Sequence, residues 1–228
     1  MFKYETHLHT SPVSKCATAT VRESLEFYKE MGYDGVFITN HFYDGNINID
    51  RTLPYEELIE FYFTDYEEAK RLEAEIGIKV FLGVETSYKG TDFLIYGLDK
   101  DWFLSHPEIR DMKRSDMLNL FKECGALVIQ AHPYREASYI DHIRLFPRNI
   151  HGVEIINASR NDMENALAKA YAEAYGLIEF AGSDNHSAKS KKRLAGVSFD
   201  RPIVDERDFI DRTKNGEAKV FDLINPLI

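Results

Sequence analysis

In "FKYETHLHTS", His7 and His9 flank Leu8. Side chains on a strand alternate between faces, so the two imidazoles share one face while Phe2, Tyr4 and Leu8 take the other. An isolated pair of this kind is more often two surface histidines than a metal site, and two imidazoles leave an ion short of ligands. The rest of the chain offers more. "GVFITNHF" delivers His41, "VFLGVET" delivers Glu85, "ALVIQAHPYR" delivers His132, and "IEFAGSDNHS" delivers Asp184 and His186. Each lies at the C-terminal end of an apolar, strand-like run. The remaining histidines do not. His106 precedes Pro107 in a loop, His142 falls in a polar stretch read as helical, and His151 opens a strand and so sits at the opposite end. Singly, each rim residue is better explained as a satisfied core histidine or an N-cap aspartate. Five histidines and two carboxylates at one rim are not. They exceed what one tetrahedral ion needs, so the inference is two or three divalent ions (Zn, Mn or Fe) sharing a carboxylate.

The elements that must position these residues follow from the hydrophobic pattern. Strands are expected at 2–8, 34–39, 78–84, 92–98, 126–131, 151–156 and 177–182, several of them apolar throughout, as in parallel strands covered on both faces. Helices lie between them. One opens with a Thr20–Glu23 capping box and stops at Gly32; another runs from Pro54 to Gly77; two more end at Gly176 and Gly216. Repeated βα units with no G-x-G-x-x-G after the first strand argue against a dinucleotide fold and for a seven-stranded, TIM-like (β/α) barrel, one domain over 1–228. In such barrels the active site gathers at the C-terminal strand ends.

Composition narrows the function class. A net charge of −10 disfavours a broad grip on nucleic acid, two cysteines give no disulfide framework, and neither a membrane span nor a signal peptide is evident. A cytoplasmic protein without membrane or polymeric nucleic-acid partners is expected.

The ordered set "HLHTS", "ITNH", "GVE", "AHP" and "GSDNH" covers nearly the whole chain and resembles the PHP (polymerase and histidinol phosphatase) family. The resemblance implies a distorted seven-stranded barrel and metal-dependent phosphoester hydrolysis. It implies His7, His9, Glu85 and Asp184 on one ion with Glu85 bridging, His41 and His186 on another, and His132 paired with Glu85. The chain departs from the family pattern in two places. Many members carry Asp or His shortly after the HxHT motif, where this chain has Ser14, Lys15 and Cys16; Cys16 reads as a thiolate ligand or as a small buried hydrophobe. Many also carry a His where Leu94 falls. A full third ion site lacks those usual ligands here.

Such a centre activates water, with Asp184 and His186 as the ligands closest to catalysis, and needs no protein nucleophile. Arg135, Asn157 and Arg193 are the candidates to hold substrate, with Arg160 and Lys192 behind them. The "KSKKR" run containing Arg193 is more commonly a solvated helix face. Glu154 reads as a supporting group. The expected substrate is a small phosphomonoester or nucleotide. Histidinol phosphate specifically, an amidohydrolase-like reaction and a metal-stabilised module without turnover are the alternatives.

Overall fold

The computed structural model describes residues 1–189 and 192–225, so Ser190 and Lys191 of the basic run lie outside it. All seven expected strands form: β1 (Phe2–Leu8), β2 (Gly35–Ile38), β3 (Lys79–Tyr88), β4 (Thr91–Tyr96), β5 (Leu127–Ala131), β6 (Gly152–Asn157) and β7 (Ile178–Gly182). Two more, β8 (Arg193–Phe199) and β9 (Lys219–Ile224), bring the sheet to nine, in the order β7-β6-β5-β4-β3-β2-β1-β8-β9. The sheet curls into a nearly closed, TIM-like barrel, because β1 forks between two neighbours. Its first residues pair with β8, Phe2 opposite Phe199 and Tyr4 opposite Val197. Its end meets the segment after β7, where His9 N donates to Asn185 O (2.9 Å) and Asn185 N donates to His7 O (3.2 Å).

The helices are α1 (Val21–Glu30), α2 (Tyr55–Ile76), α3 (Lys100–Ser105), α4 (Arg114–Glu123), α5 (Asp162–Tyr175) and α6 (Glu206–Lys214). The Thr20–Glu23 capping box is present, and Gly77 and Gly176 end their helices in the left-handed region. Three expectations differ. β4 runs antiparallel to β3 and β5, because Lys89 and Gly90, at φ 51° and 82°, make a two-residue hairpin turn. His142 lies in an irregular segment rather than a helix. Arg193 opens a strand, not a helix face.

Two apolar layers cover the outside of the sheet, and a third cluster plugs its interior. The plug contains Tyr4, Phe37, Phe81, Leu94, Tyr96, Phe180 and Phe199, with Phe209 of α6 against them. Tyr4 therefore points inward, not away from the histidines as simple alternation requires. A register shift between Glu5 and Leu8 resets the alternation, leaving Leu8 under α1 while His7 and His9 top the plug. Among the described residues, no helix is long and apolar enough to cross a membrane.

Candidate metal centre

Glu85, buried within β3, faces four imidazoles. Oε1 lies 3.2 Å from His7 Nε2 and 3.4 Å from His132 Nε2; Oε2 lies 2.5 Å from His41 Nδ1 and 3.5 Å from His9 Nε2. Asp184 faces the same group, with Oδ1 3.6 Å from both His7 Nε2 and His9 Nε2 and 3.5 Å from His186 Nδ1. The seven residues thus converge from five strands, β1, β2, β3, β5 and β7, or the segments that directly follow them. Three sets bring one donor atom each within 4.8 Å of one another: His7, Glu85, His132; His7, His9, Asp184; and His9, His41, His186.

Local structure fixes these positions. Gly182 passes so close to β1 that a Cβ would sit 2.6 Å from His7 Cβ and 2.8 Å from Glu154 Oε1, so this step of β7 requires glycine. His132 and Asp184 both have positive φ (26° and 50°), sparsely populated for such residues, as happens where surrounding contacts over-determine a functional site. His132 N is held by Glu154 Oε2 at 3.1 Å.

The donor set fits a divalent cation. His7 Nε2, His9 Nε2, His41 Nδ1 and both Glu85 oxygens are buried without a hydrogen-bond partner, although carboxylates and imidazoles crowd together. Buried polar atoms left so are costly unless an ion satisfies them. Backing groups fix the ring orientations. Glu154 Oε1 lies 3.0 Å from His7 Nδ1, and Ser14 Oγ lies 3.1 Å from His9 Nδ1, so each ring presents Nε2 inward. Asn40 and Asp65 of α2 organise the loop carrying Ser14. Asn40 Oδ1 accepts from Thr10 N and Ser14 Oγ, and Asp65 Oδ2 accepts from Thr10 Oγ1, Val13 N and Asn40 Nδ2.

The charges are strongly coupled. Burial lowers the pKa of His7, but the carboxylates of Glu154, Asp184 and Glu85 outweigh it and hold it well above the usual value. Burial, then the His186 and His41 imidazoles, push His9 well below its own. Burial also raises Glu85 and Asp184, yet the imidazoles around them, led by His41 and His7 respectively, keep both well below the carboxylate range. Neutral imidazole at His9 beside ionised carboxylates is the protonation state a cation needs.

A cavity of 560 Å³ opens over the cluster, lined by Glu85, Asp92, Asp184, His41, His186, Cys16, Arg51, Arg135 and Arg160 among others. Of the residues expected to hold substrate, Arg135 lies on its wall, its Nη2 2.9 Å from Asp92 Oδ2. Asn157 is buried behind the cluster and donates to Glu154 Oε2 (2.8 Å) and Asp184 Oδ2 (3.4 Å). Arg193 is held by Asp222 and Asp162 and does not line the cavity. Cys16 is exposed rather than a buried hydrophobe. The sequence reading missed Asp92, in an apolar run where only the Leu94 position drew notice, and Arg51, in a loop without periodic signal. Replacing Glu154 with Gln, which keeps the shape but exchanges one acceptor for an amide donor, is expected to weaken metal affinity roughly 10–100-fold. Competition with a chelating dye measures this.

No family model matches the chain. An uncharacterized protein of Methanocaldococcus jannaschii is 33% identical over 95 residues, which are 42% of this chain and 52% of that protein, so the match spans about half the length of the curated relative. A two-domain Bacteroides vulgatus protein, described as containing a predicted PHP-like metal-dependent phosphoesterase, superposes with a TM-score of 0.69 at 14% identity. That match covers 96% of this chain and 64% of the other. An amidohydrolase from Chromobacterium violaceum superposes with a TM-score of 0.54 at 15% identity over 98% of each chain. At such identities the likeness is one of fold: this chain has the barrel of PHP-like metal-dependent phosphoesterases and of at least one amidohydrolase.

Proposed function

We propose that this chain is a PHP-type, metal-dependent phosphoesterase acting on a small phosphomonoester or nucleotide. The observation that carries the reading is Glu85, whose two oxygens face different pairs of imidazoles and so suit a carboxylate shared by two ions. His7, Glu85, His132 and Asp184 would hold one ion, and His41, His186 and His9 would hold a second with Glu85 Oε2. Bound divalent ions supply Lewis acidity toward phosphoryl oxygens and lower the pKa of water toward ~7. The chain's own residues do the rest. Asp184 and His186 sit where the cavity meets the cluster and orient the reacting group. Arg135, braced by Asp92 and placed over the Tyr139 ring, offers its guanidinium to a phosphate. Glu154 and Asn157 keep His7 and Asp184 aligned from behind. The cavity suits a ligand of small-molecule size.

The test is phosphate release from a panel of phosphomonoesters that includes histidinol phosphate and mononucleotides. Protein is loaded separately with Mn and Zn, and Asp184→Ala serves as the blank. Turnover that needs metal and vanishes in the variant is expected. Bound metal with no phosphate release, together with hydrolysis of an amide panel, would replace the reading with an amidohydrolase, for which the shared fold is the supporting observation.

A further inference from the structure

Among the described residues, the cavity over the cluster has one large apolar surface. Apart from two glycines and Tyr139, its lining is ionic, imidazole, amide, hydroxyl or thiol. The His41 and His186 rings are committed to the cluster, each with Nδ1 facing Glu85 or Asp184. Tyr139 has no such commitment and is 69% exposed. We infer that Tyr139 is a specificity-determining residue, a stacking platform for a nucleobase carried by the leaving group, so that a nucleoside monophosphate is preferred over a sugar phosphate that lacks the base. The inference rests on the phosphoesterase reading above and adds the residue that selects the substrate.

A chain of contacts runs from this ring to the cluster. The Arg135 guanidinium carbon lies 5.9 Å from the Tyr139 ring centroid, Arg135 Nη2 lies 2.9 Å from Asp92 Oδ2, and that oxygen lies 3.8 Å from His132 Nε2. A phosphate held at the cluster and by Arg135 therefore sends its ester substituent past the guanidinium toward the ring. The ring stands one guanidinium removed from the cluster, so a spacer of sugar length between phosphate and base bridges the gap. Tyr139 sits on an irregular loop that is tied down on both sides. Before it, Glu136 N donates to Glu164 Oε1 of α5 (2.9 Å); after it, Arg144 Nη1 donates to Lys89 O of the β3–β4 turn (2.9 Å). Its neighbour Ile140 packs over Gly90 of the same turn, where a Cβ would come within 2.7 Å of Ile140 Cγ1. The platform is thus fixed against the hairpin whose second strand carries Asp92. An open aromatic face beside a guanidinium suits a nucleobase, because every base has a π-face to stack and arginine adds a cation–π contribution.

Steady-state kinetics of the metal-loaded protein with adenosine 5′-monophosphate and ribose 5-phosphate test this, since the two share the leaving oxygen and the sugar and differ by the base. The wild type is expected to have the lower KM for the nucleotide. Tyr139→Ala should raise the nucleotide's KM by about fivefold or more beyond any change it causes with ribose 5-phosphate. The loss should fall on KM rather than kcat, because stacking remote from the reacting bond acts alike on ground and transition states. Tyr139→Phe, which keeps the ring, should keep the wild-type preference. Equal KM changes with the two substrates mean that Tyr139 only steadies Arg135, and they overturn the inference while leaving the phosphoesterase standing. Phosphate release from other phosphomonoesters but not from the nucleotide does the same. With metal bound, no release from any of them overturns both readings.

Discussion

Replacing Glu85 with Gln is expected to lower phosphate release by about a thousandfold or more and to cut the bound metal below one ion per chain. A glutamine fills the same space, but one of its two ends becomes an amide donor and cannot ligate a cation. In this fold each end matters. Oε1 is the oxygen between His7 and His132, and Oε2 the one against His41 and His9. Losing either end removes one shared contact, and losing the charge weakens both subsites. Bound ions would contribute several kcal/mol of charge stabilisation to the transition state, and each ~1.4 kcal/mol is a factor of ten in rate. Metal analysis beside steady-state kinetics checks the result. A variant with full metal content and near wild-type turnover would show that Glu85 is merely a buried partner for the histidines, and the shared-carboxylate reading would fall.

The site was more legible in the sequence than the fold around it. Metal-type residues declared themselves by position, since each follows an apolar run and a parallel barrel sends such ends to one rim. The alternation rule then failed at one place with a physical cause. β1 carries a register shift between Glu5 and Leu8, so Tyr4 and His7 both face inward although they differ in parity. No residue pattern within "YETHL" announces that shift. Glu85 is likewise inside β3, not at its end, because the strand continues to Tyr88 and turns back through Lys89 and Gly90. That Lys-Gly pair was a readable hairpin signal, hidden by ending the third strand at Val84.

What remained illegible depended on tertiary partners. β8 and β9 are the antiparallel pair at one edge, and the charges within them, Arg193, Lys219 and Asp222, blur any apolar run. Arg193 looks like a free cation in sequence but is spoken for by Asp222 and Asp162. Asn157 looks like a rim donor but is buried among carboxylates. The loop from Thr10 to Cys16 gave no hint that a buried helix residue, Asp65, would pin it. Burial, the first cause, raises the Asp65 pKa, and donation from Thr10, Val13 and Asn40 opposes it. Asn40, which had no reading in the sequence, joins that carboxylate to Ser14 and so to His9.

Stripping the metal with a strong chelator is expected to lower the melting temperature by roughly 8–16 °C for each ion removed, when free metal had been about a thousandfold above its Kd. The ligands come from five separated segments and form no site in the unfolded chain, so the binding free energy becomes folding free energy, about 4 kcal/mol under those conditions. For a chain of this size each kcal/mol moves the melting temperature by roughly 2–4 °C. The effect should also grow with pH above about 6.5. In the metal-free protein the raised His7 and His41 groups, the latter to about 10, contribute stability that is complete below the unfolded-state value and is lost as pH climbs toward their folded values. His9, depressed, is neutral in both states over that range and adds no slope. Glu85 and Asp184, both depressed, are ionised throughout it. Metal binding has the opposite slope, because deprotonated imidazoles ligate better. The metal-loaded and metal-free melting curves should therefore diverge between about pH 6.5 and 9. Curves that coincide at every pH would mean that the histidines and carboxylates satisfy one another without an ion.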